Sequence, residues 1–404
     1  MKLKINRNYI NIICEYVFVI IIICGNYSML TRDIAWGISE VTLVIFFCLA
    51  NIMVIFLCKK KNKISEKRLF DYLFLIVTSI LVVIAPGANI KEAFVYWLIP
   101  VVCCGLCFLL KKEKKDILIR YVNVVVILAI VSMFFYILGS VLDFISPSRT
   151  AMFFYDGKYK TCNTYYGLLY EAQKMQGQKF FSLVYRNCGI FIEAPMFNLV
   201  LCLALSIELA FRENRRKIVI AMLVMTILST FSTTGIIFLI AICAIYIYET
   251  DSSRIWEILK VLIFPIMILS IGYLIYNIII LKMQSNWGAQ SYSIRLDHLV
   301  ASIQMWMNKP ILGYGYANNE AFYEYANYDQ GYSVGLPMLL ARNGILIISL
   351  YITSWFKRIL YAVRYKKRNL YFWIGSFILF FFTASVYKTI FIFLLCIQLM
   401  WEEA

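Results

Sequence analysis

About twelve stretches of nearly unbroken apolar sequence constrain this chain more than any other feature. They fall at 9–30, 38–58, 69–88, 92–110, 117–142, 188–211, 218–230, 235–248, 258–281, 332–356, 370–386 and 389–401. A hydrocarbon core about 30 Å thick is crossed by about 20 apolar residues in a helix, and most of these windows approach that length. A soluble fold cannot bury so much: 62% of the 404 residues are apolar and 15% charged, with a mean hydropathy of +0.76. The expected fold class is all-α, a polytopic integral membrane protein of about 12 transmembrane helices in a single domain over 1–404. The windows 218–230 and 235–248 are short enough to be one bent helix. The stretch from Asn8 to Leu30 has no small-residue cleavage site and runs to membrane length, so no cleaved signal is expected.

Lysine and arginine set the orientation, because short cytoplasmic loops collect them. Alternate connections carry Lys2, Lys4 and Arg7, then Lys59–Lys61 with Lys63, Lys67 and Arg68, then Lys111, Lys112, Lys114 and Lys115. Further along come Arg212, Arg215, Arg216 and Lys217, and Lys357, Arg358, Arg364 and Lys366–Arg368. Both termini are therefore expected in the cytoplasm. Two large loops, 143–187 and 282–331, are expected outside. The net charge of +16 reflects this topology; no nucleic-acid-binding motif accompanies it, and no nucleic-acid partner is expected.

Several chemistries are excluded by what the chain lacks. Most of the twelve cysteines sit inside apolar windows as small hydrophobes. Cys162 and Cys188 fall near the outer side and could pair, but their spacing fits no disulfide framework. There is one histidine, His298, and no CxxC, so no metal is expected. No phosphate-binding glycine loop and no acidic cluster for a metal-bound nucleotide sugar appear, so no cofactor is expected. No internal repeat or matched pair of broken helices suggests an inverted-repeat transporter.

Two polar constellations enter apolar windows from the outer side. The first is Arg186-Asn-Cys-Gly-Ile-Phe-Ile-Glu193-Ala-Pro195. On a continuous helix Arg186 and Glu193 are about two turns apart and share a face. Pro195 then predicts a kink beside Glu193. A carboxylate inside a span needs a partner or a cavity, so these residues are either a structural ion pair or a polar pocket open outward. The second is Arg295-Leu-Asp-His298, continuing to Trp306-Met-Asn-Lys-Pro310-Ile-Leu-Gly313-Tyr-Gly315-Tyr. Helical spacing aligns Arg295, His298 and Ser302 on one side, with Leu299, Ile303 and Trp306 more apolar. This predicts an amphipathic helix at the outer interface, ended near Asn308-Lys-Pro310. It is either an anchor or a phosphate-binding element, since a guanidinium suits a pyrophosphate. His298 is either a catalytic group or an ordinary hydrogen-bonded residue.

The order Arg-x-x-Gly-x-Phe-x-Glu-x-Pro, then Ser232-Thr-Thr-Gly235, then Arg-x-x-His…Trp-x-x-x-Pro-Ile-Leu-Gly-Tyr-Gly resembles the O-antigen polymerase and ligase superfamily. The segment from Gly331-Tyr-Ser-Val-Gly-Leu-Pro to Asn343-Gly344 resembles the next span, and the likeness covers roughly 185–355. The resemblance implies large outer loops, functional outer arginines, and transfer of a glycan from undecaprenyl pyrophosphate without metal or nucleotide. The ligase branch carries a His-Asn pair where this chain has Tyr332-Ser333. That departure points to the Wzy-type polymerase, which makes capsular polysaccharide or O-antigen from flipped repeat units. A flippase and a chain-length regulator of the same pathway are the expected protein partners, and membrane lipid the surroundings.

Such a transfer needs an anionic leaving group stabilised and an acceptor hydroxyl deprotonated. Arg186 and Arg295 are the candidate cations, and Glu193 or His298 the candidate base. Tyr165, Tyr166, Trp287, Tyr314 and Tyr316 are candidate platforms for sugar faces. A lipid-linked oligosaccharide flippase remains open, as does a sensor or scaffold of an envelope complex. The few charges inside spans (Glu193, Arg342 and Asp71) and the long outer loops weigh against the flippase.

Overall fold

Pro195 stands where a helix starts, and that decides the geometry around it. In the computed structural model, residues 7–25, 28–57, 64–111, 114–155, 158–174, 185–249, 273, 286–328, 335–367, 369–383 and 389–401 are described. The expected continuous helix through Arg186 and Glu193 is not present: the helix spans Ala194–Phe211, with Pro195 in its first turn and Glu193 as the extended residue before it. A proline in the first turn gives up a backbone N–H that has no helical partner anyway, so it opens the helix and does not bend it. Arg186 and Glu193 therefore do not share a helical face.

The chain is mostly helical. In order come α1 (Arg7–Cys24), α2 (Glu40–Leu57), α3 (Glu66–Val83), α4 (Ile90–Ala93), a π-helical turn Phe94–Leu98, and α5 (Ile99–Leu110). Then follow α6 (Lys114–Phe135) with a π-helical turn Tyr136–Val141, α7 (Ala194–Phe211), α8 (Lys217–Ser229) and α9 (Thr233–Glu249). The remainder is α10 (Asn286–Asn308), α11 (Asn319–Tyr323), α12 (Leu336–Arg364), α13 (Leu370–Thr383) and α14 (Thr389–Leu399). Among the described residues four helices are long and apolar enough to cross a membrane: Ile90–Leu110, Lys114–Val141, Ala194–Phe211 and Leu336–Arg364. Five shorter apolar helices accompany them. The alternative of one bent helix over 218–248 is settled as two, α8 and α9, separated at Phe231, whose φ is +48°. The window 258–281 lies outside the described residues, apart from Tyr273.

One part of the first large loop is not helical. Strands β1 (Arg149–Tyr155), β2 (Lys158–Tyr165) and β3 (Leu169–Tyr170) form an antiparallel sheet in the order β1-β2-β3. Alternate β1 residues Ala151 and Phe153 face inward and join Met29, Cys162, Tyr170 and Ile192 in a small core. The sheet is thereby fastened to the residue before Glu193. The Met29 amide adds a bond to the Ile190 carbonyl (2.8 Å), and the Ile34 amide one to Met152 (2.9 Å).

The second large loop is built on α10, which ends at Asn308 as expected and packs along α12. After it, the Gly313-Tyr-Gly315 turn meets a break in α12 at Gly344 (φ 60°, ψ −163°). The carbonyls freed by the break are answered by the turn: Tyr314 N bonds to Ala341 O at 2.9 Å and Gly315 N to Arg342 O at 2.8 Å. Ile345 N in turn reaches Pro310 O at 2.9 Å. Gly315, at φ +100°, also abuts the Gly87–Ala88 backbone, so a side chain there would meet main chain on one side and strain on the other. Broken backbone inside an apolar bundle is tolerated only when its polar groups find protein partners, and here they do.

Candidate active site

Glu193 is held from two sides. Its own backbone begins α7: the Met196 amide lies 3.1 Å from the Glu193 carbonyl. Its side chain, which makes no cap to the helix, instead accepts a hydrogen bond from the Tyr155 hydroxyl at the end of β1. Arg295 of α10 lies within electrostatic reach of the same carboxylate. Burial pushes the Glu193 carboxyl above its usual range, and the Arg295 charge pulls the other way. Arg295 itself is exposed, and no hydrogen-bond partner holds it among the described residues. A strand, a helix start and, through its charge, α10 thus bear on one carboxylate.

Arg186 has a different setting. Its Nε donates to the Thr230 carbonyl at 2.9 Å and its Nη2 to Phe231 at 3.4 Å, at the C-terminal end of α8. A cation there complements the helix dipole. Burial lowers the guanidinium's affinity for its proton, though arginine stays charged at neutral pH. Asn187 fastens the same place through Ser229 Oγ at 3.0 Å. The Ser232–Gly235 segment follows directly, and Gly235 packs against the Asn198 side chain of α7 so closely that a Cβ would collide with it. The two motifs, separate in sequence, therefore adjoin in space. The link between the first and third runs through Glu193 and Arg295, and the link between the third and the fourth through the Gly313–Gly315 turn and the α12 break.

His298 is buried, with its ring edge-on to Phe322 (5.2 Å between centroids) and Nε2 3.2 Å from the Tyr328 carbonyl. Its face of α10, with Ala301, Ser302 and Met305, is the one that packs inward, while Arg295, Val300 and Ile303 are exposed. The expected alignment of Arg295 with His298 and Ser302 is thus divided between surface and interior. Asp297 holds the overlying chain, accepting from Asn327 N at 2.8 Å and Tyr328 N at 3.3 Å.

The aromatic candidates also separate. Tyr166 is exposed. Tyr314 is half-buried, its hydroxyl 2.8 Å from that of Tyr325 and its ring under the Lys309 ammonium at 4.3 Å. Tyr165 is buried, stacked on Phe135 and bonded to Glu171 at 3.1 Å. Tyr316 is buried against Trp97. Neither of these two offers a free ring face to a sugar. For Trp287 only the backbone, in the first turn of α10, is described. Sequence reasoning missed Tyr155. The available signal was Asp156-Gly157, a strong short hairpin signature, between an apolar run ending at Tyr155 and the polar-rich segment after it, which places Tyr155 at a strand end.

No curated protein and no solved structure matches the chain. Residues 218–338, less than a third of the chain, match the family model described as O-Antigen ligase (Wzy_C). That segment holds the Ser232–Gly235 motif, Arg295 and the Gly313–Gly315 turn. The family match bears out the resemblance of this chain to the O-antigen polymerase and ligase superfamily.

Proposed function

We propose that the protein is a membrane glycan polymerase that joins undecaprenyl-pyrophosphate-linked oligosaccharide repeat units at the outer face of the cytoplasmic membrane. The observation that carries this reading is the O-antigen ligase family match over 218–338, which holds the exposed Arg295 whose charge is felt by the half-buried Glu193 carboxylate. A cation not consumed by a protein partner beside a proton acceptor is what the transfer requires. Glu193 takes the proton of the acceptor hydroxyl, whose oxygen bonds to the anomeric carbon of the donor. The bond from that carbon to the pyrophosphate breaks, and its electron pair leaves with the polyprenyl pyrophosphate. Arg295 stabilises the negative charge that develops there, with Arg186 as the second cation. A single displacement inverts the anomeric configuration. No cofactor or metal is required by this scheme.

The reading includes about twelve spans, cytoplasmic termini, and loops 143–187 and 282–331 outside. Reporter fusions near residues 165 and 305 should then report an outer location, and fusions near 62, 114, 214 and 365 a cytoplasmic one. A cytoplasmic signal at 165 would remove the site from the side where flipped substrate waits.

The family description favours a second reading, a ligase-type transferase with a different acceptor. Deletion of the gene separates the readings. A polymerase predicts single flipped repeat units accumulating on lipid. A ligase predicts full-length polymer left on lipid, and a flippase predicts units trapped inside.

A further inference from the structure

We infer that Tyr155 is the positioning residue for Glu193: its hydroxyl, delivered by the sheet of the first outer loop, holds the carboxylate facing Arg295 in its charged form. This rests on the role given to Glu193 above and extends it to a residue from a segment with no motif of its own.

Three observations support it. The Tyr155 hydroxyl is the hydrogen-bond donor to the Glu193 side chain. The strand carrying it cannot drift from that carboxylate, because Ala151 and Phe153 pack with Ile192, adjacent to Glu193, and Ser28 bridges Phe191. Lys160, on β2, places its ammonium over the Tyr155 ring at 4.5 Å, a cation–π contact that helps to orient the ring. The charged and titratable groups around Glu193 are then Tyr155 from β1, Lys160 behind it on β2, Arg295 from α10, and the buried Cys188 thiol, while the Ala194 amide next to Glu193 donates to Gln173 Oε1 at 3.2 Å.

The purely structural alternative is that the bond only ties loop to helix. The two differ in pH dependence. A donor to the charged carboxylate lowers its pKa, so removing the hydroxyl raises it. A tie without that role, once cut, lowers activity at every pH alike.

The test uses the purified full-length protein. A hydrophobic carbodiimide labels protonated carboxyls, and mass spectrometry of the Glu193 peptide gives the pH of half-labelling without reference to activity. Tyr155→Phe should move that midpoint upward by about one unit. Incorporating 3-fluorotyrosine at 155, a stronger donor, should move it down. The acid limb of the polymerisation profile should follow, with about tenfold less activity below the wild-type midpoint and a smaller loss well above it. An unmoved labelling midpoint, or a loss equal at all pH values, would overturn the inference. A shifted midpoint with an unshifted activity profile would uphold Tyr155 and refute Glu193 as the base.

Discussion

Glu193 and Glu208 stand at the two ends of one helix, roughly 20 Å apart at 1.5 Å per residue, and their surroundings are opposite. Glu208 is buried and saturated: Arg216 grips it with Nε at 3.0 Å and Nη2 at 2.9 Å, its backbone amide adds a bond at 3.1 Å, and Arg212 stands 3.2 Å away. The same economy recurs among the basic connections. Glu15 is paired with Lys111 and Arg120, and Asp71 with Lys357 at 2.6 Å. Glu193 has a neutral hydroxyl and one exposed arginine within electrostatic reach. Glu208, Glu15 and Asp71 are closed on basic partners, and so is Asp33 on Arg149, whereas Glu193 is left with capacity for something else. In the proposed function, that contrast separates architecture from chemistry along a single helix.

The contrast can be broken most severely at Glu208. Glu208→Ala leaves the partly exposed Arg212 and Arg216 without their carboxylate, and breaking a buried pair costs up to about 3–5 kcal/mol. Protein yield and thermal stability should collapse, and activity should fall only in proportion to folded protein. Near-normal stability would mean the pair is not structural.

Arg295→Ala should do the reverse. A charge directed at a developing anion commonly contributes about 10²–10³ in rate, and this exposed side chain holds nothing else among the described residues. Polymer should be lost with abundance near normal, and lysine should restore only part because it lacks the planar fork. Full polymer from Arg295→Ala would remove the residue from the mechanism. Arg186→Ala is a mixed case. It should lower turnover and also stability, by about 1 kcal/mol, through the lost bonds to the end of α8.

The smallest effects sharpen the choice of base. Glu193→Gln should lose turnover while melting normally, as expected of a group whose protein contacts are few. His298→Gln should melt slightly lower, by about 1 kcal/mol of stability, with turnover per folded molecule retained, because its ring is buried and its Nε2 is spent on Tyr328. Stable but inactive His298→Gln, beside active Glu193→Gln, would transfer the role to the histidine.

Much of this molecule is written in local patterns, and those parts were legible. The end of α10 at Asn308 follows from Asn308-Lys-Pro310, and the order of motifs carries the family resemblance that the match over 218–338 bears out. The exceptions have physical causes. Pro195 reads equally as a kink or a helix start until the residues before it are known to be extended. Tyr165 and Tyr316 look like Tyr166 and Tyr314 in composition, yet packing on Phe135 and Trp97 buries the first two. The partners of Glu193 come from a strand well before it and a helix far after it, and no spacing rule connects such distant positions. The sheet was legible in Asp156-Gly157 and its flanks, but an expectation of helices throughout obscured it.

The central claim is that this outer cluster performs glycan transfer from a lipid pyrophosphate. Its most direct test is purified protein mixed with a synthetic undecaprenyl-pyrophosphate-linked repeat unit, with products resolved by size. Wild-type protein should give a ladder of polymers on lipid with release of undecaprenyl pyrophosphate, and folded Arg295→Ala protein should give about 10²–10³ less. A folded wild-type protein that leaves the repeat unit unjoined, or an Arg295→Ala ladder equal to wild type, would contradict the account.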